Sequence, residues 1–566
     1  MKLNLTSKGI LSKNDSKLID EIYPEVVKKY NDFIIKYANV NNSSPIDLLN
    51  PIFSRNPYQS SILDNILKLE LLEIKLKQGE PIDVILIDNS ELEYPIKQIL
   101  KRYKVEICLK KVDLIYSQEY LLVFKNLFKS IIYSIVSILW PLFLLKKQND
   151  YSGKIVFVDT FIFPHSFNAI GCFQDRYFTG FKDRLEANEK DNVYFSPVLI
   201  GFRSISHFVN LIKNVNISKD KYIFQESWLR ISDYFWALYK IYFSYKNAKK
   251  IPKYSYYEID ELVRKDIRNS LFSPYLMVAY CRYRFIKKIS IGIGKKKICK
   301  VIDWNENQII DKAMNLGFNE FFPGINLCGY LGHVSSTYET HKVPLKYEFD
   351  HNLIPKKCFV LSGIHMKFLR ENCPFIEVEH AYPYRYSSLF NDRSKQKLAS
   401  KINILIGLPI SVEESDAILN TCIKIKEFFK DKIELYVKHH PSYQTKDFAK
   451  YSKYFLNKAF IASDKNNYEL LKSANFLITV SSAICIEAAY CGVKVLIAAN
   501  NKGVTNNPLD LLNDNRISEI FYDDKDLIEA ISQTIHFRKD NVFPSDFFYM
   551  NKEKTTRKLF MCEDNI

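Results

Sequence analysis

Two short polar runs hold the side chains in this sequence best suited to chemistry. Leu435-Tyr436-Val437 leads into Lys438-His439-His440-Pro441, and Phe476-Leu477-Ile478-Thr479-Val480 leads into Ser481-Ser482. Each is an apolar run of strand type that stops abruptly in polar residues. The lysine and histidines supply positive charge and N–H donors. The serines supply hydroxyls at the start of a helical pattern over 483–491. Serine is a favoured helix N-cap, and a helix N-terminus binds phosphate through its free N–H groups and dipole. Capping alone would explain the serines. Together with a second polar strand end, they read as a site for an anionic, phosphorylated ligand. His440 is the expected donor to a departing phosphate. Lys438, His439 and Pro441 form its loop, and Glu487 in the helix is placed to meet ribose hydroxyls.

Those strand ends need a sheet to hold them. In an open α/β sheet, ligands bind in the crevice beyond the carboxyl ends of the strands. Apolar runs at 402–406, 433–437, 458–462, 475–480, 493–498 and 517–521 read as strands, with helices over 413–430, 483–491 and 525–536 between them. Upstream, strands at 84–87, 105–108, 154–158, 193–195, 198–200, 298–302 and 325–330 alternate with helices over 91–102, 227–245 and 274–288. A further helix runs to Leu316, with Gly317 as its stop signal. Helices over 17–37 and 60–77 come first. Such alternation means parallel sheets. The fold class is therefore α/β: two doubly wound, Rossmann-like domains facing a cleft. The expected division is a helical N-terminal extension (1–80), a first Rossmann-like domain (81–345, with an apolar insertion at 125–147), a proline-punctuated connection (346–400), a second Rossmann-like domain (401–537) and a tail (538–566) that returns toward the first domain.

The chain has 566 residues, of which 47% are hydrophobic and 25% charged, and a formal net charge of +16. That balance suits an anionic partner. Nucleic acid is excluded as a class, since no recognition motif or basic tail is present. The eleven cysteines form no C-x-x-C pair and read as free thiols of a reducing compartment. The N-terminus lacks a signal-peptide core, so a cytoplasmic location is expected. Residues 131–145, IIYSIVSILWPLFLL, lie between Lys125 and Lys129 on one side and Lys146 and Lys147 on the other. They fall short of the ~20 residues of a membrane span, and Pro141 would kink a helix there. Basic flanks and Trp140 fit a helix lying at the inner face of the cytoplasmic membrane; a buried core helix and a true span stay open as alternatives. Gly292-Ile293-Gly294-Lys295 lacks P-loop spacing, and no cluster suggests zinc.

The C-terminal half, over 400–535, resembles the GT-B-fold glycosyltransferases of bacterial surface and capsular polysaccharide biosynthesis. Lys438-His439-His440-Pro441 is similar to the HP motif of bacterial sialyltransferases and capsule Kdo transferases, and Ser481-Ser482 to their paired-serine motif. The CDP-glycerol glycerophosphotransferases share both features but place their serines after Thr-Asp-Tyr; Thr479-Val480 here lacks the aspartate. The resemblance implies transfer of a sugar from a nucleotide donor, first of all a CMP-activated acid sugar, to a surface-polysaccharide or lipid-linked glycan acceptor. It implies no metal and no cofactor. A UDP-sugar donor, a CDP-polyol phosphotransferase and an inactive scaffold of polysaccharide assembly remain open.

An inverting transfer needs a base against the acceptor hydroxyl. The acidic motif that supplies it in those families has Val378-Glu379-His380-Ala381 as its nearest counterpart, with one acid and no glycine. First-domain strand ends offer Asp159 with His165, Asp303, Glu306 and His333. Glu306 is the first expectation, because Trp304 and Gln308 beside it suit a sugar; Asp159 is the second. The run Asp303-Trp304-Asn305-Glu306-Asn307-Gln308 resembles a D-W-x-E-N-Q stretch of uncharacterised surface-carbohydrate biosynthesis proteins.

Overall fold

The computed structural model describes the chain except for residues 1, 8, 113–117, 145–150, 152, 169–170, 203, 248–249, 335, 391–400, 441–453, 455–458, 464, 536–541 and 563–566. Its strands form three wholly parallel sheets. The smallest contains β1 (Lys2–Asn4), β2 (Val84–Ile87) and β3 (Cys108–Lys111), in that order. The second contains β4 (Ile155–Ile162), β5 (Val193–Leu199), β6 (Lys221–Tyr222), β7 (Ile298–Trp304), β8 (Asn326–Leu331), β9 (Lys357–Val360) and β10 (Glu377–His380). Its order is β10-β9-β8-β7-β4-β5-β6. The third contains β11 (Ile402–Gly407), β12 (Ile433–Lys438), β13 (Ile461–Ala462), β14 (Phe476–Thr479), β15 (Lys494–Ala498) and β16 (Ser518–Phe521), ordered β13-β12-β11-β14-β15-β16. The two large sheets are the expected doubly wound pair. In the third, the chain steps outward from β11 to β13 and then crosses to β14. The switch point therefore lies between β11 and β14, where such sheets hold ligands.

The structure departs from the expected organisation in five places. Residues 346–400 supply β9 and β10, which pair onto β8 as an edge of the large sheet. The prolines at 344, 355 and 374 fall outside these four-residue strands, which are too short to stand out against them. Residues 1–80 are not only helical, since β1 pairs with β2. The runs at 193–195 and 198–200 are one strand that passes through Pro197; β6 pairs only with Tyr194 and Phe195, so the missing N–H of Pro197 removes no bond to β6. The helix Ile309–Phe321 continues through Gly317. A Cβ there would stand 2.9 Å from the Cβ of Ile286, on the helix Pro274–Ile289, so the glycine permits close helix packing rather than ending a helix. Finally, Cys299 and Cys562 form a disulfide with Cα atoms 5.9 Å apart, although 263 residues separate them, which corrects the reading of all cysteines as free thiols.

That disulfide joins β7 to the end of the helix Lys552–Phe560. The tail therefore does cross back: Phe560 stacks on Phe181 at 4.0 Å, and the hydroxyls of Tyr384 and Thr556 are 2.7 Å apart. The helix Lys13–Val40 ties the N-terminal region to the third sheet. Lys13 pairs with Asp523 and Asp526 at 2.9 and 2.6 Å, and Asp20 accepts from the Thr505 N–H and the Tyr522 hydroxyl at 2.7 and 2.9 Å.

Candidate active site between the two large sheets

The first half of the site grows from the loop after β7. Asp303 ends the apolar run of β7 inside the protein, and Asn307 turns the chain with φ 54°. The Asn307 amide donates to the His341 carbonyl at 2.8 Å and to Glu348 at 3.2 Å. Asp311 accepts the N–H groups of Glu306 and Gln308, both at 3.0 Å, and so caps the helix Ile309–Phe321. Gly332 stands where a Cβ would lie 2.1 Å from the Trp304 ring, so this glycine makes room for the indole. On that scaffold the Glu306 carboxylate is clamped. Trp304 Nε1 donates to Oε1 at 3.0 Å and Gln308 Nε2 donates to Oε2 at 2.6 Å. Trp304 and Gln308 thus orient the carboxylate. Glu306 remains partly open to solvent, and His333 Nδ1 lies 4.0 Å from its Oε1. Burial, with Lys342 and Arg385 adding, pushes the His333 pKa well below the usual value, so this imidazole is neutral.

Beneath Glu306 lies a cluster of fully buried acids. Carboxylate oxygens of Asp159, Asp303 and Asp311 come within 4.8 Å of one another. Asp159 is ion-paired with Arg282, whose guanidinium also donates to the Ser196 hydroxyl at 3.0 Å. Asn315 donates to Asp303 at 2.9 Å. Burial pushes Asp159 up to about 6 and Asp303 up to about 8, and raises Asp311 well above the ordinary range. The spacing would allow a metal ion, but Arg282 already supplies the cation and Asp311 already caps a helix. The group is best read as carboxyls that share protons. Asp159 is 2% exposed and cannot reach an acceptor hydroxyl, which removes the second expected base for a steric reason.

Glu379 is engaged elsewhere. It pairs with Lys357 at 2.7 Å and with Lys558, clasping the helix Lys552–Phe560 to β10. Those lysines overcome the opposing effect of burial and hold its pKa below the usual value, which makes it a weak proton acceptor. The motif counterpart is therefore a structural ion pair. His165 is exposed and packs by Phe163.

The second half comes from the third sheet. Lys438 ends β12 with His439 and His440 just after it, and Ser481 and Ser482 follow β14, on either side of β11 at the switch point. Thr479 closes the end of β14 by donating to the Gly407 carbonyl at 2.7 Å. Lys438 Nζ donates to the Lys465 carbonyl at 2.7 Å. Neither serine hydroxyl caps the helix Ile484–Tyr490, whose N-cap is Ala483. Burial raises the pKa of Glu487, opposed by Arg385. Burial lowers that of His440, aided by Arg176. Pro441 lies outside the described residues.

Arg176 and Arg385 connect the halves, and sequence reasoning missed both. Asp175 accepts the N–H groups of Tyr177 and Phe178 at 2.8 and 3.1 Å and so fixes the turn that presents Arg176. Tyr177 lies on the Trp304 ring at 4.1 Å, and Arg176 lies over Tyr177 at 5.5 Å. Arg176 is thus close to His440, and Arg385 is close both to His333 on the first half and to Glu487 on the second. Each is a lone arginine among aromatics, and no spacing pattern marks it.

Neither a protein-family model nor a curated protein sequence matches the chain. Solved structures do resemble it. A UDP-N-acetylglucosamine 2-epimerase from Neisseria meningitidis bound to UDP-GlcNAc is 11% identical over 72% of this chain and 99% of its own, with a TM-score of 0.41. The Anabaena protein HepE in complex with UDP and glucose is 10% identical over 72% and 95%, with a TM-score of 0.36. The glycosyltransferase of kitacinnamycin is 10% identical over 73% and 97%, with a TM-score of 0.37. At these values the chain is similar to these proteins in general architecture, and nothing about its own ligand follows from them.

Proposed function

We propose that the protein is a GT-B-type glycosyltransferase that moves a sugar from a nucleotide donor, first of all a CMP-activated acid sugar, to a surface-polysaccharide or lipid-linked glycan. The observation that supports this is that Glu306 and His440 each follow a strand end of a parallel sheet, with Arg176 close to His440 and Arg385 close to both His333 and Glu487. The donor phosphate sits among Arg176, Lys438, His440 and the serine hydroxyls. His440, kept neutral by burial and Arg176, donates a hydrogen bond to a phosphate oxygen rather than a full proton. Glu306 takes the proton from the acceptor hydroxyl as the glycosidic bond forms. The arginines and lysine balance the phosphate charge, so the reaction needs neither metal nor cofactor. EDTA should leave the rate unchanged.

The decisive experiment is a thermal-shift series with CMP, CDP, UDP and GDP on wild type and His440→Ala. Stabilisation by cytidine nucleotides that weakens in the variant supports the reading. Stabilisation by UDP alone moves the donor to a UDP-sugar. No stabilisation by any nucleotide sinks it in favour of a non-catalytic scaffold.

A further inference from the structure

The helix Gln118–Leu139 and the 3-10 turn Trp140–Phe143 that follows it bury Trp140 and pack Val123, Tyr133 and Ile138 on the core, yet expose a second apolar stripe. A helix on a protein surface normally turns its apolar stripe inward. Here the stripe facing the protein contains Asn126, Ser130 and Ser137, all buried, with Ser130 at 0% exposure. Asn126 donates to the Asn269 carbonyl at 3.1 Å, Ser130 donates to the Phe272 carbonyl at 2.8 Å, and Gln225 donates to the Tyr133 hydroxyl at 2.9 Å. The opposite stripe points Leu121, Phe124, Phe128, Ile135 and Leu142 into solvent, with Phe124 at 68% exposure and Leu142 at 74%.

Two neighbours extend this surface. Tyr133 meets Tyr234 at 6.4 Å, on the helix Ile231–Asn247, which exposes Ile231, Phe235, Tyr239 and Phe243 at helical spacing. Asn216 donates to the Phe143 carbonyl at 3.4 Å, from the helix Ile205–Ile217, which exposes Ile205, Val209 and Ile217. Exposed apolar side chains thus line three adjacent elements, the kind of contiguous patch that marks an interaction site. Its charge is one-sided. Lys125, Lys129, Lys213 and Lys246 are exposed in these segments. Among residues 121–143, 205–217 and 231–246 the only acid is Asp233, which is 0% exposed and paired with Arg284 at 2.7 Å.

We infer that this three-helix face is a monotopic docking surface for a bilayer containing anionic lipid. Apolar side chains ringed by lysines, with no exposed acid in 121–143, 205–217 or 231–246, match an interface with acidic headgroups. A second copy of the chain would set lysine against lysine. Residues 121–143 are long and apolar enough to cross a membrane by composition. However, the bonds at Asn126, Ser130 and Tyr133 hold this segment against the domain along its length, so it lies flat. The face begins at Ile205, just after β5, at the same carboxyl-end edge of the sheet as Glu306. If the proposed activity holds, a lipid-linked acceptor would be presented beside the site; docking itself does not depend on that activity.

Flotation of the full chain with phosphatidylcholine vesicles, with and without phosphatidylglycerol, tests the inference. Wild type should float with the anionic vesicles, and Phe124→Glu/Leu142→Glu should lose at least ~10-fold of that binding. Both changed side chains are exposed, and an unaltered far-UV spectrum and melting temperature would confirm folding. Wild type that stays at the bottom of the gradient with both vesicle types overturns the inference, as does equal flotation of the variant. A stable wild-type dimer that the double change dissociates, without vesicle binding by either, overturns it in favour of a second copy.

Discussion

The two halves of the site are built in opposite ways. On the first sheet, the groups around the open carboxylate are held by the protein: Glu306 by Trp304 and Gln308, the Asn307 amide N–H by His341 and Glu348, and Asp311 by two backbone N–H groups, although Asp303 Oδ1, Asn307 Oδ1 and Asn315 Oδ1 are buried without a hydrogen-bond partner among the described residues. On the third sheet, Ser481 and Ser482 make no side-chain hydrogen bond among the described residues. The difference teaches a division of labour. A carboxylate that must meet a hydroxyl in one orientation benefits from a rigid cradle. A phosphate, with many equivalent oxygens, needs donors that its arrival completes.

The contrast can be broken by mutation. Glu306→Gln keeps the shape and both neighbours but loses the base, so turnover should fall by ~10²–10⁴-fold with nucleotide binding unchanged. A matching loss in nucleotide affinity, read by calorimetry, would show that the halves are not separate. The first half should also be the fragile one. Glu348 pairs with Arg55 at 3.0 Å and Lys312 at 2.6 Å. Burial opposes its ionisation, but Arg55 and Lys312 outweigh it and hold its pKa down to about 2. Glu348→Gln leaves two buried cations unpaired and should cost about 3–5 kcal/mol in denaturant unfolding. In wild type this stability is present above the unfolded value near 4.5 and is lost as the pH falls toward 2.

Smaller effects sharpen the comparison. His440→Ala should lower turnover by ~10²-fold while leaving the melting temperature close to wild type. Ser481→Ala/Ser482→Ala should weaken nucleotide binding by ~30-fold, since two lost hydrogen bonds at about 1 kcal/mol each amount to about 2 kcal/mol. It should change stability by less than ~0.5 kcal/mol. The buried acids add a test of pH dependence. Asp159 and Asp303 hold protons to about 6 and about 8, which the unfolded chain releases near 3.8. Their contribution is complete at acid pH and falls as the pH rises through those values. Asp303→Asn should flatten the melting profile between pH 5 and 9; an unchanged slope would show that Asp303 is not the titrating group.

Much of the fold was legible because apolar, β-branched runs such as Ile402 to Ile406 and Phe476 to Val480 can only be buried strands, and their polar ends mark where a ligand sits. Glu306 was legible for the same reason. Its immobility was not, because Trp304 and Gln308 become clamps only once Gly332 admits the indole ring and Tyr275 holds the glutamine. Strands β9 and β10 escaped notice because prolines flank them and Val378 is the one apolar residue in β10.

The sequence alone determined the alternation of strands and helices, the switch-point motifs and the apolar segment, since these depend on local periodicity and on residue type at a chain position. Tertiary structure decided which acid is open and which is spent. Asp159, Glu306 and Glu379 are alike as residues, but Arg282, Trp304 with Gln308, and Lys357 with Lys558 meet them only through folding, and a carboxylate's chemistry is set by whatever surrounds it.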